Sequence, residues 1–508
     1  MRIAFRLGVA AAVALATAPA WAEPSALIKC DGYGRRQTPG EQVGRGLVIL
    51  GTLGLFGSAE ADQPSARKAG AEAIAACTEA LTDSRTTGNP VRRAEVLLMR
   101  AIRNYEMGKL DAAWADTEAA KGVELTPLVR ARFDQNIGAS ATFVQAIIRL
   151  TQGKQDEAEA LAMQAAKARP WGVVIAEDAA RVAALSPAIS TDERAVLDRL
   201  NRIAPNVRRA GVLEAAGDWA GASADLAQVI AGLSKPGVIV LARHAAVMAL
   251  AGDTAGAETL LARVAQEIDE LAVKANGTTA DARTAEQQVS RADELVQLAK
   301  AQVALNKGQT DAAKDLLAGR TRWLAIPAIA ATVISNAQAK VPGAAAGIDP
   351  AKLRADATKV ARDAMVEKGV LNNLVQIVPR WEDADVAGDF GKDMGPASKL
   401  MRPKPVRDGA VTLITHVRRA AADTAFEAAL VAAARDAAAR KADRFAVMLH
   451  FGLPRTGREG VVHTGHFIEY VLPGDKLFEA QANRAITVAE VERALGADYS
   501  APLPGARR

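Results

Sequence analysis

Four of the chain's five histidines, His416, His450, His463 and His466, lie close together near the C-terminus. Neutral imidazole is a common ligand for zinc and copper, so four rings brought to one edge would make a metal site, with Glu469 as an oxygen helper. The spacing argues against it. His463-Thr-Gly-His466 matches neither of the usual helical ligand spacings, and ordinary surface or strand-end histidines are the competing reading. Metal or small-ligand binding here is therefore the alternative function, and no cofactor is assigned.

Other chemical signals are weaker. The segment Gly452-Leu-Pro-Arg-Thr-Gly457-Arg458-Glu459 has the glycine spacing of a phosphate-binding loop. However, Arg458 and Glu459 replace the lysine and hydroxyl residue that such a loop needs, and the segment that follows reads as a strand. A hairpin loop accounts for it. No Gly-x-Ser-x-Gly elbow and no His-Glu-x-x-His helix occurs, so no catalytic residue is assigned and the chain is read as a non-enzyme. Cys30 and Cys77 are the only cysteines; without a Cys-x-x-Cys spacing or a nearby histidine they read as one disulfide.

That pairing presupposes an oxidising compartment, and the N-terminus supplies the argument. Arg2 and Arg6 precede an apolar stretch from Leu7 to Thr17, followed by Ala20-Trp21-Ala22. A basic start, a short apolar core and small residues at the cleavage positions define a secretory signal peptide over 1–22, too short to span a bilayer. The first cysteine is eight residues beyond Ala22, which disfavours a lipid anchor. The periplasm is the expected location.

The sequence has 63 basic and 58 acidic residues, a formal charge of +5, and removing Arg2 and Arg6 leaves +3. The two signs alternate without a long basic run, which excludes a nucleic-acid partner. With 4% aromatic and 50% hydrophobic residues, many of them alanine, the composition favours close-packed helices over sheet cores.

A repeat organises the region 92–340. Five glycines, Gly108, Gly153, Gly217, Gly252 and Gly308, are each followed five residues later by an alanine: Ala113, Ala158, Ala222, Ala257 and Ala313. Seven residues before each stands another: Ala101, Ala146, Ala210, Ala245 and Ala301. A glycine that adopts positive φ can end a helix, and small residues on both partners let a helix pair approach closely. Pro127, Pro170, Pro236 and Pro327 then stop the second helix of four pairs. This pattern resembles the tetratricopeptide repeat, most closely in AEVLLMRAIRNYEMGKLDAAWADTEAAKGVELTP, with Ala101, Tyr105, Gly108, Asp111, Ala113 and Pro127. The early aromatic of the first helix is missing and the glycines are unevenly spaced, so the repeats are degenerate. The segment 171–205 has room for another helical pair capped by Thr191, and Glu267 to Glu294 reads as extended helices with a loop at Gly277.

The expected fold is mainly α: a tetratricopeptide-like α-solenoid followed by a small α/β domain. Segment 23–91 reads as an N-terminal cap with the disulfide. Its apolar run Leu47 to Phe56 is too short to cross a membrane but leaves peripheral membrane contact as a third reading. Pro- and Gly-rich stretches make 341–405 a linker or bridging region. Beyond it, VTLITHV, RFAVMLHF and HFIEYVL alternate as strands, Phe426, Leu430, Ala433 and Ala437 mark a helix face, and TVAEVERALG closes 406–508 as β-α-β-β-α.

The resemblance implies an interaction scaffold that binds a protein or peptide partner in a groove lined by the first helix of each pair, with Arg103, Asn104, Arg149 and Leu213 as contacts.

Overall fold

The computed structural model describes residues 24–32, 64–186, 190–203, 207–232, 236–275, 280–320, 323, 326–367, 404–405, 410–418, 422–456 and 462–496. The expected signal peptide 1–22, the apolar run Leu47 to Phe56 and the residues Gly457 to Glu459 lie outside them. The protein is mainly helical, with a small antiparallel sheet near the C-terminus. Among the described residues no helix is long and apolar enough to cross a membrane.

The chain begins with α1 (Ala26–Asp31), α2 (Gly70–Thr82) and the short α3 (Ser84–Thr87). Cys30 of α1 and Cys77 of α2 are joined by a disulfide across a separation of 47 residues. Beside it the buried Arg92 ion-pairs with Asp31 and Glu95, fastening α1 to the helix that follows. A loop of this length confines the unfolded chain enough that replacing both cysteines by serine is expected to remove about 4 kcal/mol. A shift of the urea midpoint to lower concentration, with an unchanged slope, is the result to look for.

Five helix–turn–helix pairs carry the glycine frame: α4 (Pro90–Glu106) with α5 (Leu110–Lys121), α7 (Ala139–Thr151) with α8 (Gln155–Ala168), α11 (Val207–Ala215) with α12 (Trp219–Gly232), α13 (Val238–Leu250) with α14 (Thr254–Ala275), and α15 (Ala280–Asn306) with α16 (Thr310–Leu317). The α6 helix (Pro127–Phe133) leads into α7, and α9 (Val173–Ala183) with α10 (Thr191–Ile203) forms the expected extra pair. At the turns, Gly108, Gly153, Gly217, Gly252 and Gly308 have φ between 73° and 91°, a region costly for residues with a Cβ. All ten alanines of the frame are 0% exposed, so the small side chains sit where paired helices touch. One capping assignment changes. Ser190 Oγ, rather than Thr191, accepts from an N-terminal amide of α10, that of Glu193.

These helices fill two apolar cores, one reaching from Leu27 to Val212 and the other from Ala210 to Ala345. After α17 (Pro327–Lys340), α18 (Pro350–Val366) spans between them, with Leu353 against the second core and Met365 in the first. Segment 341–405 is therefore more than a linker, because it holds this helix. Tyr105 Oη fixes its C-terminal end by donating to the Val366 carbonyl at 3.1 Å.

The C-terminal domain consists of β1 (Lys404–Pro405), β2 (Val411–Arg418), α19 (Ala422–Ala439), β3 (Arg444–Thr456), β4 (Val462–Val471), β5 (Ile486–Thr487) and the turn-long α20 (Val488–Val491). The sheet order is β1-β2-β4-β3-β5, and β4 runs antiparallel to both β2 and β3. The crossover through α19 thus joins parallel strands with β4 inserted between them. A β-α-β crossover between adjacent strands would set His416 and His450 side by side, but here β4 separates their strands, about 10 Å in the hydrogen-bonding direction. On α19, Phe426, Leu430, Ala433 and Ala437 are all buried, as their spacing predicts. The domain packs into the first helical core and does not hang free of it.

Candidate functional site

The inner face of the sheet, under α19, carries the most concentrated chemistry among the described residues. His466 lies opposite Thr415 of β2 and Gly452 of β3, and His450 lies opposite Ile468, so both point to the face that α19 covers. His450 Nδ1 and His466 Nε2 are 3.2 Å apart, with one ring donating and the other accepting. Phe426 packs against both, its centroid 4.9 Å from the His450 ring and 5.1 Å from the His466 ring. Burial makes the charged form expensive: it holds His450 at about 4, and burial together with the neighbouring ring holds His466 at about 3. The pair is neutral throughout the physiological range.

The other two histidines do not join them. His416 pairs with Gly465, and His463 with Arg418 and Arg455, positions an odd number of residues from those of the inner face. Residues alternate between the faces of a strand, so these two positions belong to the opposite face. Glu469 shares that outer face but stands six residues from His463, about 20 Å along the strand. The four-histidine set is divided, and among the described residues no group of three or more metal-ligating side chains occurs. The odd separation of His463 and His466 already forbids a common face in a regular strand, which is the signal the sequence offers.

The inward direction of His450 has a specific cause. The register of β3 against β4 slips between Val447 and Leu449, leaving Met448 as an extra residue. Without this bulge, Leu449 would face the core and His450 the outside; with it, Leu449 is 48% exposed and His450 meets His466.

A second concentration of polar groups fastens the domain to the helices, and none of it was foreseen from the sequence. Arg169, at the C-terminus of α8, makes a bidentate ion pair with Glu427 of α19, both contacts at 2.9 Å, and both side chains are buried. Asp423, fully buried, accepts from the backbone amides of Val174 and Ile175 in the first turn of α9, where a carboxylate complements the unpaired amides and the helix dipole. Desolvation pushes its pKa up, partly offset by Arg169 and these amides. Arg484, also buried, donates to the carbonyls of Asn201 and Val447, and Arg202 forms a bidentate pair with Glu490.

The residues expected to line a partner groove are placed otherwise. Leu213 and Asn104 are buried, and Asn104 donates to Asp116 Oδ2 at 3.0 Å. Arg103 is buried and paired with Glu106. Arg149 stacks on the Trp114 ring, its guanidinium carbon 4.0 Å from the centroid, and meets Glu157 at 3.0 Å. The first helices α4 and α7 are covered on nearly every side, their polar residues included, so these four residues do not form an exposed groove.

No family model matches the chain, and no curated protein and no solved structure matches it either.

Proposed function

We propose that this chain is an exported, non-catalytic interaction protein of the tetratricopeptide-like class. In this reading its helical pairs form a short solenoid that carries the C-terminal α/β domain and engages a protein or peptide partner in the bacterial envelope. One observation carries the reading: five helix pairs share a single frame, with a positive-φ glycine at the turn and an alanine contact on each side of it. Stacked helical pairs of this kind serve chiefly as extended binding surfaces. The Cys30–Cys77 bond is compatible with an oxidising compartment, and the leader-like residues 1–22 give the route to it.

Because the first helices are covered, a partner in this reading would meet the exposed second helices, where α5 and α8 present Ala119, Ala160 and Gln164 to solvent. Site-specific photo-crosslinking in the full chain tests this. A crosslinker at Ala119, Ala160 or Gln164 is expected to capture one recurrent envelope protein, and one at Leu213 to capture none. Capture of no protein from any second-helix position would sink the reading.

A further inference from the structure

We propose that the last turn of α18 is an internal ligand, seated in a helix-binding site at the turn ends of the first two repeat pairs, and that a partner helix with a basic-x-x-Met-aliphatic pattern displaces it. This site deepens the interaction reading, on which it rests, but is built from residues other than Ala119, Ala160 and Gln164 and is tested with this chain alone.

The seat takes one polar group from each of three helices. Near the end of α4, Tyr105 is 5% exposed and its hydroxyl donates to the Val366 carbonyl at 3.1 Å. The hydroxyl of Thr151, the last residue of α7, lies 2.8 Å from that phenol oxygen. Gln155, the first residue of α8, accepts from Arg362 at 3.2 Å. Met365 enters the first apolar core, and Val366 packs against it. Arg362, Met365 and Val366 are thus anchors at i, i+3 and i+4, the spacing by which an amphipathic helix lies in the groove of another protein. Tyr105 and Thr151 stand just before the turn glycines Gly108 and Gly153, so the seat spans two successive pairs, as a ligand of a solenoid does.

Little else holds α18. Met365 is the one buried residue among its 17, and Leu353, Ala357, Thr358, Arg362 and Val366 form a half-buried stripe. The helix is stabilised by its own sequence instead. Asp349 caps it by accepting from the amides of Ala351 and Lys352, and Lys352–Asp356 and Lys359–Asp363 pair along its exposed side. At its other end Leu353 rests on the second core and Arg354 donates to Thr332 Oγ1 at 2.6 Å, which tethers the helix when its last turn leaves. Release also strands no polar group of the seat. The Tyr105 proton has a second acceptor in Thr151 Oγ1, whose own proton goes to the Ile147 carbonyl, and the Gln155 amide keeps its bond to the Val182 carbonyl. The seated state, by contrast, leaves Arg362 Nε buried without an acceptor among the described residues, a cost that a better-matched helix avoids.

A synthetic, fluorescein-labelled peptide of residues 350–367 is the probe, titrated into the full chain and read by fluorescence anisotropy. It is expected to bind a Met365→Asp chain about tenfold more tightly than the wild type, because apparent affinity scales with the fraction of open seats. Adding Tyr105→Phe/Gln155→Ala to that chain removes two hydrogen bonds to the peptide and is expected to weaken it about tenfold. Equal binding to the Met365→Asp and wild-type chains, or binding to neither, would overturn the site even where a crosslinked partner upholds the interaction reading. If Met365→Asp loses its helical circular dichroism, hydrogen exchange of the 15N-labelled wild-type chain decides instead. Excess unlabelled peptide is expected to speed exchange over 355–366 about tenfold and to leave α4 and α7 unchanged. Exchange that the peptide does not alter refutes the displacement.

Discussion

Taking the pH from about 8 to about 5 is expected to cost the C-terminal domain roughly 4 kcal/mol through the paired histidines. Their folded pKa values, about 4 for His450 and about 3 for His466, lie below the unfolded value near 6.5. Stability from keeping both rings neutral is thus fully present above about pH 6.5, and is lost as the pH falls toward the folded values. At about pH 5 an unfolded imidazole is protonated and the folded one is not, a difference of about 2 kcal/mol per ring. Asp423 acts in the opposite sense, since its raised pKa favours the protonated form in the folded chain. A His450→Gln/His466→Gln variant keeps Asp423 and removes only the imidazole contribution. Hydrogen exchange over residues 444–471 at the two pH values reads the effect. Wild-type protection should collapse toward the lower pH and the variant's should not; equal slopes would show that the pair is not held neutral.

The second large effect is expected at the docking contact. Arg169→Ala leaves Glu427 and Asp423 buried beside the first turn of α9 without their cation, and removing one partner of such a pair costs about 3–5 kcal/mol. The double replacement Arg169→Met/Glu427→Leu, which takes both charges out together, is expected to recover most of that loss. Chemical denaturation gives the energies, and limited proteolysis gives the consequence: release of a fragment beginning near residue 404 from the Arg169→Ala protein only. A single variant as stable as the parent would mean that the apolar contacts of α19 alone hold the domain in place.

Much of the architecture was legible in the sequence because it depends on local rules. The turn glycines follow from the need for positive φ between helices, and the ten alanines from the closeness of the helices they separate. The strands of the C-terminal domain follow from period-two alternation, and the face of α19 from the spacing of Phe426, Leu430, Ala433 and Ala437. The two cysteines required no more than their number and the lack of a Cys-x-x-Cys spacing.

What escaped depends on distance along the chain. Arg169 and Glu427 are separated by 258 residues, and each alone is one more charge on an amphipathic helix. Arg103, Asn104 and Leu213 looked available because the helices covering them cannot be placed by periodicity. His450 is the clearest case. Strict alternation would turn it away from His466, and only the single extra residue at Met448, imposed by how β3 fits β4, brings the two rings together. Local propensity and period thus determined which elements form and which faces they bury. The tertiary structure decided which polar groups share a low-dielectric interior, because that depends on register and docking between segments remote in sequence.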